Sequence, residues 1–172
     1  SQRAKFYNWM YGDLIALQEL WGGTKTCCLE QDVQKVITDM VLSYGYLQPC
    51  FKVKNTVRRS VTLDRGVIII PSGNLRVDDI CRLVGWYIYD RKIATLNEGW
   101  HGPTFCRVFA ETFSKITAIP VKEIVDSMRL SKLKVLSASG ASPAGPRVIK
   151  KFEQADNRVV ELENAIKRAR QE

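Results

Sequence analysis

The sequence predicts a mainly α fold: a helical body of five to six helices with one small antiparallel β-hairpin, followed by a C-terminal helical tail. Apolar residues recur at three- and four-residue spacing through most of residues 1–136, which indicates amphipathic helices. The stretch 50–71 instead combines β-branched residues with a turn signal. Residues 137–146 are mostly small and show no periodicity, so they predict a flexible linker before an amphipathic tail at 147–172.

Two helices are predicted before the hairpin. The first spans 4–21 and is ended by a Gly-Gly pair. The second spans 29–44, where apolar residues follow one helical face and Gly45 ends the helix. Thr26 is expected to cap its N-terminus with its side-chain oxygen. The short connection predicts that these two helices pack together as a helical hairpin.

The β-hairpin is predicted from three segments. Residues 50–54 and 56–63 favour extended structure, and the apolar run 67–70 provides the return strand. Asp64-Arg65-Gly66 predicts a three-residue loop in which the glycine supplies a positive φ. Pro71 is expected to end the return strand, because proline has no N–H for the ladder.

The second half of the body predicts three more helices. Residues 76–91 form one, with Asp78 and Asp79 in its first turn, where carboxylates complement the helix dipole. The next is predicted from phenylalanines that recur every four residues, namely Phe105, Phe109 and Phe113. Pro120 opens the last helix, because proline is favoured at the start of a helix.

The chain is basic, with 26 Lys and Arg against 18 Asp and Glu, a net charge of +8 and a pI near 9.4. Residues 1–49 hold four of the basic groups and five of the acidic ones, so the positive excess lies beyond them. Such a charge raises the local concentration of anionic partners, usually nucleic acid or an anionic membrane surface. The alternative is that the charge only keeps the protein in solution.

The distribution of these cations predicts binding of RNA, or of single-stranded nucleic acid generally, through phosphate groups. The residues predicted to bind lie in the hairpin and around the linker: Lys52, Lys54, Arg58, Arg59, Arg65, Lys132, Lys134, Lys150 and Lys151. Tyr89 and Trp100 are the aromatic side chains expected to be exposed enough to stack on bases. No standard RNA-binding signature is present, which favours backbone contacts over sequence readout.

The tail predicts self-association. When Phe152 is placed at heptad position a, every a and d position of the tail is apolar, as in a coiled coil. In a parallel pair, Lys151 would meet Asp156 of the partner, a contact of opposite charges. The side chains expected to hold a homo-oligomer are Val148, Phe152, Val159, Leu162 and Ile166. The alternative is a helix that packs onto the body of its own chain or of a neighbour.

The cysteines and the single histidine give little indication of chemistry. Five cysteines, an odd number, are spaced like neither a disulfide framework nor a zinc site, so they predict reduced thiols in a cytoplasmic or nuclear protein that is not secreted. No catalytic residue, metal ligand or cofactor is predicted. Cys106 with His101 is the one candidate nucleophile–base pair, and it keeps a cysteine-dependent enzyme as an alternative. No apolar run approaches the roughly 18 residues of a transmembrane helix.

A small, basic, α-rich body with a linker and an apolar tail resembles the nucleocapsid and matrix proteins of RNA viruses. The resemblance is one of architecture and assigns no role to any residue. It implies a non-enzymatic protein that self-associates and binds RNA. A matrix-type scaffold, whose tail mediates assembly or partner docking without nucleic acid, is the alternative.

Overall fold

Helices make up most of the body, which confirms the predicted mainly α fold. The computed structural model describes residues 1–55, 60–92, 98–138 and 162–170. The helices are α1 (Gln2–Tyr11), α2 (Asp13–Leu20), α3 (Glu30–Ser43), α4 (Val77–Lys92), α5 (Pro103–Thr117), α6 (Val121–Leu130) and α7 (162–170). The strands are β1 (Cys27–Cys28), β2 (Cys50–Lys54), β3 (Thr62–Asp64), β4 (Val67–Pro71) and β5 (Leu75–Arg76). By internal contacts the chain divides into two units, Ser1–Ser142 and Pro143–Glu172.

The packing of α4 against α5 forms the centre of the larger unit. The predicted phenylalanine stripe of α5 is fully buried there. Gly85 allows the close approach of the two helices, since a Cβ at that position would lie 2.7 Å from Cδ2 of Phe105. From the start of the chain, α1 adds Phe6, whose ring centroid lies 4.9 Å from that of Phe105 and 5.1 Å from that of Phe109, edge to face.

The prediction of one helix over 4–21 is wrong, because the chain breaks into α1 and α2 at Gly12. This glycine has φ −122° and ψ −82°, outside the helical region, and its N–H donates to the carbonyl of Trp9 at 3.3 Å. Glycine adopts such a conformation at low cost. The indole Nε1–H of Trp9 donates to Ser127 Oγ of α6 at 2.9 Å. Leu14 is the buried residue of α2, which packs on both α1 and α6.

The predicted second helix is confirmed as α3, but its cap and its partner differ from the prediction. Leu29 occupies the cap position without a side-chain hydrogen bond, and Asn74 Oδ1 accepts from the N–H of Glu30 at 3.0 Å instead. Thr26 is held away from the helix, because its carbonyl accepts from the N–H of Val77 at 3.0 Å. Helix α3 packs against α4 rather than in a hairpin with the first helices.

The predicted antiparallel hairpin is confirmed as β3 and β4. Only Arg65 and Gly66 connect the two strands, with φ of 50° and 79°, so the loop has two residues rather than three. Positive φ at both positions is typical of a type I′ turn, whose twist suits the strands of a hairpin. Of the predicted strand 56–63, residues 56–59 lie outside the described residues.

Strand β4 is also the centre of a three-stranded sheet, in the order β2-β4-β3. β2 pairs with it in parallel, with Phe51 opposite Ile68 and Lys54 opposite Pro71. Pro71 is the last residue of β4, as expected. β3 packs against α4, and Ile68 and Ile70 of β4 are buried. A second, two-stranded sheet joins β1 and β5 in antiparallel fashion.

The last two predicted helices of the body are confirmed as α5 and α6. α5 begins with Pro103, and Ala118, which follows the last helical residue, caps the helix with φ 66°. Pro120 is the N-cap of α6 rather than its first residue. The predicted linker over 137–146 and the tail over 147–172 fall largely outside the described residues, which here comprise 137–138 and α7.

Candidate nucleic-acid interface

Two of the predicted binding residues lie on one solvent-facing surface of the three-stranded sheet. Lys52 and Lys54 alternate with Phe51 and Val53 along β2, so the two ammonium groups point to the same side. Ile68, opposite Phe51, is fully buried, which identifies the lysine side as the outer face. Neither lysine forms an ion pair within the part of the chain that the structure describes. These two cations are therefore available to an anion in solvent.

The third predicted residue of the hairpin lies at its tip. The side chain of Arg65 is 95% exposed, and its Nε lies 4.0 Å from Oδ1 of Asp64. An ion pair with this exposure contributes little to stability, because water screens it and holding two side chains costs entropy. Arg65 is therefore free to reorient toward a phosphate, for which its planar guanidinium offers a two-donor contact. Arg58 and Arg59 lie outside the described residues.

Lys132 and Lys134 lie in a different layer of the fold. Both are exposed and flank the buried Leu133, in the segment that follows α6. Lys132 has φ 63°, a left-handed conformation that ends the helix. α6 packs on α5 and α2, whereas the sheet packs on α4, so the two predicted groups of cations come from different layers.

The structure adds the start of α1 to this second group, which the sequence analysis missed. Gln2 Nε2 donates to the carbonyl of Lys134 at 3.2 Å, and this places the first turn of α1 beside the segment after α6. Arg3 and Lys5 on that helix are exposed. The sequence carried no signal for this proximity, because the two segments are 132 residues apart.

The remaining predicted residues belong to the tail. Lys150 and Lys151, together with Val148, Phe152 and Val159, lie outside the described residues. Leu162 and Ile166 lie on α7, four residues apart, and are 64% and 52% exposed. Their spacing places both side chains on one face of that helix.

The candidate nucleophile–base pair does not have the geometry of one. The thiol of Cys106 donates to the backbone carbonyl of His101 at 3.8 Å, not to its ring, and it accepts a hydrogen bond from Gln2 Nε2. Burial raises the pKa of Cys106 to about 12, the opposite of what a reactive thiolate needs. Burial, with the charges of Arg3 and Arg82, lowers the pKa of His101.

His101 instead belongs to a cluster of aromatic rings and cations between α1, α4 and the loop before α5. Its ring centroid lies 4.9 Å from that of Phe105, 5.4 Å from Tyr7 and 6.0 Å from Trp86. The guanidinium of Arg82 lies over the rings of Tyr7 and Trp86, at 5.8 Å and 5.9 Å. Nε2 of His101 is buried and has no hydrogen-bond partner among the described residues. This cluster was missed because its members come from three separate segments.

The carboxylates Asp78 and Asp79 do more than complement the dipole of α4. Both pair with Arg82 one turn further along the helix, and Asp78 also accepts from Arg76 Nε at 2.9 Å. The network contains two cations and two carboxylates, so it adds no net positive charge to the surface. The spacing of Asp78 and Arg82, four residues, was the signal in the sequence that could have predicted it.

Of the two aromatic side chains expected to be exposed, Trp100 and Tyr89, only one is exposed in the structure. Trp100 is exposed, as predicted, whereas Tyr89 is buried. The hydroxyl of Tyr89 donates to the carbonyl of Glu98 at 2.5 Å, and its ring lies 4.7 Å from that of Trp100 between centroids. The loop before α5 therefore folds over the end of α4 and covers Tyr89.

Other kinds of site have little support in the described residues. All five cysteines are free, and only Cys27 and Cys50 are exposed. Within the described ranges, no group of three or more His, Cys, Asp or Glu side chains is arranged to hold a metal ion. None of the helices there is long and apolar enough to cross a membrane. No protein-family model, curated protein or solved structure matches the chain, so the candidate interface is identified by its own geometry.

Proposed function

We propose that this chain is a non-enzymatic, self-associating protein that binds RNA, or single-stranded nucleic acid generally, through phosphate groups. The observation that carries the proposal is the outer face of the three-stranded sheet, where Lys52 and Lys54 are exposed and lack an ion pair among the described residues. Residues two apart on a strand are separated by about 7 Å, so the two ammonium groups can contact separate phosphates. If both lysines were paired with carboxylates, this face would offer no available cation to the phosphate groups of a nucleic acid.

The charge of this face is almost entirely positive. Asp64 is the one carboxylate that β2, β3 and β4 carry, and it lies beside Arg65 at the turn. Ile69, directly opposite Lys52 in the register of the sheet, and Thr62, opposite Ile69 on the next strand, add no charge. Val67 and Ile69 of the same face are half-buried and give bases a small apolar surface, while the lysines hold the phosphates.

Binding of this kind depends strongly on salt, because each neutralised phosphate releases counterions. If four to six phosphates are contacted, the logarithm of the association constant should fall against the logarithm of salt concentration with a slope of roughly −3 to −4 for a single strand. Fluorescence anisotropy of a labelled single-stranded oligouridylate over a salt series measures this slope. A DNA strand of equal length should bind similarly, since phosphates are common to both.

Two double variants separate the local site from net charge. Lys52→Gln/Lys54→Gln should reduce the magnitude of the slope by about 1.4, the value for two lost phosphate contacts on a single strand. Lys35→Gln/Lys122→Gln also removes two positive charges, but from exposed lysines that are paired with Asp39 and Asp126, at 2.8 Å and 2.6 Å. It should leave the slope unchanged. Affinity that does not depend on salt, or an equal loss in both doubles, would contradict the proposal.

A matrix-type scaffold without nucleic acid is the second candidate, and exposed apolar side chains favour it. Leu20 and Leu130 on the body, with Leu162 and Ile166 on α7, are each more than half exposed. Clustered apolar exposure marks interaction surfaces in soluble proteins. Under this candidate the protein self-associates, but the oligouridylate does not bind at any salt concentration.

A further inference from the structure

The groove between α2 and α6 combines the strongest apolar exposure of the body with an acidic rim. A cavity of about 520 Å³ lies there, lined by Ala16 and Leu17 from α2 and by Ser127 from α6. Leu20 and Leu130 also line it and are 80% and 86% exposed, the highest values for large hydrophobic side chains in the described residues. An apolar groove bounded by polar groups is a typical docking site for an amphipathic helix.

The rim of this groove is acidic, although the chain as a whole carries +8. Asp13, Glu123 and Asp126 line it. Lys122 is the cation paired with Asp126, at 2.6 Å, and Asp13 accepts a hydrogen bond from the hydroxyl of Ser131 at 2.5 Å. The carboxylates therefore outnumber the cation beside them, and a basic helix fits this groove better than an acidic one.

Helix α7 has the complementary properties. Its apolar face consists of Leu162 and Ile166 at a spacing of one turn, both more than half exposed. The residues 162–170 also contain Lys167, Arg168 and Arg170 against Glu163, so the helix carries a net positive charge. Two apolar anchors four residues apart suit a hydrophobic groove, and the cations that follow them are complementary in charge to its acidic rim.

We infer that α7 of one copy docks into the α2–α6 groove of a second copy of this chain. The inference rests on the proposed self-association and names the surface that receives the tail. The contact is heterologous: each copy offers a groove to one neighbour and a tail to another. Such contacts close into rings or extend into open assemblies, depending on the rotation between copies. This arrangement differs from the parallel coiled coil expected from the heptads, in which the same apolar face would meet an identical tail.

The test uses sedimentation velocity on full-length chains with glutamate on either surface. Leu130→Glu blocks the groove, and Ile166→Glu blocks the tail, and both residues are exposed, so neither change disturbs a core. Each variant alone should self-associate at least tenfold more weakly than the natural sequence, which corresponds to about 1.4 kcal/mol. Leu47→Glu, a change at an exposed leucine outside the groove, should associate normally.

An equimolar mixture of Leu130→Glu and Ile166→Glu is the decisive sample. The first retains a good tail and the second a good groove, so the mixture should recover a complex of two chains that neither variant forms alone. If Leu130→Glu associates normally and only Ile166→Glu fails, the tails pair with each other and the inference is overturned. If the natural sequence stays monomeric, both the inference and the proposed self-association are wrong. The proposed binding of nucleic acid is then judged by the salt series with oligouridylate alone.

Discussion

Substitution of Gly85 by alanine tests whether the crossing of α4 and α5 is as tight as the structure has it. The added methyl group would lie 2.7 Å from Cδ2 and 2.9 Å from Cε2 of Phe105, and 3.3 Å from its carbonyl oxygen. The ring cannot swing away, because Phe6 and His101 contact it with centroid separations of 4.9 Å each. Overpacking of this kind costs about 1–3 kcal/mol.

The helix propensity of alanine offsets part of that cost, by about 0.8–1.0 kcal/mol. Because the closest contact, at 2.7 Å, is with a ring that its neighbours hold in place, the overpacking cost lies in the upper part of its range, about 2–3 kcal/mol. We therefore expect Gly85→Ala to lower the free energy of unfolding by about 1–2 kcal/mol, measured by urea denaturation, and the Tm by about 2–8 °C. Gly99→Ala is the control, since a Cβ at that exposed glycine meets nothing within 4 Å. Phe105→Leu should cost less stability in the Gly85→Ala background than in the natural sequence, because the smaller side chain relieves the clash. A Gly85→Ala protein as stable as the natural one would refute the crossing described above.

Three further predictions concern a tyrosine, the thiols and the hairpin turn. Burial raises the pKa of Tyr46 from 10.0 to about 12. The protonated phenol therefore contributes its full stabilisation, about 2–3 kcal/mol, below pH 10, and this contribution is lost as the pH rises through 12. The stability of Tyr46→Phe, followed by alkaline denaturation, should not show that loss. Alkylation of the folded protein near neutral pH, followed by mass spectrometry, should modify Cys27 and Cys50 first, and early modification of Cys106 would contradict its burial. Arg65→Asn should stabilise the protein by up to about 1 kcal/mol in urea denaturation, because asparagine accepts the positive φ of a type I′ turn more readily than arginine; an unchanged or lower value would count against this turn.

The helices could be predicted from the sequence because their signals are local. The phenylalanines of α5 recur every four residues, and the same residues form the core in the structure. The turn at Gly66 could also be predicted, because glycine is the residue that adopts a positive φ most readily. The break at Gly12 was missed, because a single glycine within an apolar pattern has the same appearance whether the helix continues or ends.

The pairings between distant segments could not be predicted in this way. Asn74 caps α3 from a position 44 residues away from Glu30, and no local pattern distinguishes it from Thr26 as a cap. The parallel pairing of β2 with β4 depends on which edge of the hairpin remains open, a property of the folded sheet. For the candidate interface, the alternation of side chains along β2 explains from local sequence why Lys52 and Lys54 share a face, but nothing local placed Gln2 beside Lys134.

Helix α1 is synthesised well before the residues that it packs against, which lie in α5 and α6. Trp9 forms a hydrogen bond with Ser127, 118 residues further along the sequence, and Phe6 packs on Phe105 and Phe109. At a synthesis rate of about 5–20 residues per second, the interval is roughly 6–24 s. During that time Phe6, Trp9 and Met10 emerge without their partners. These apolar side chains therefore stay exposed in the nascent chain until α5 and α6 have left the exit tunnel and the body can close.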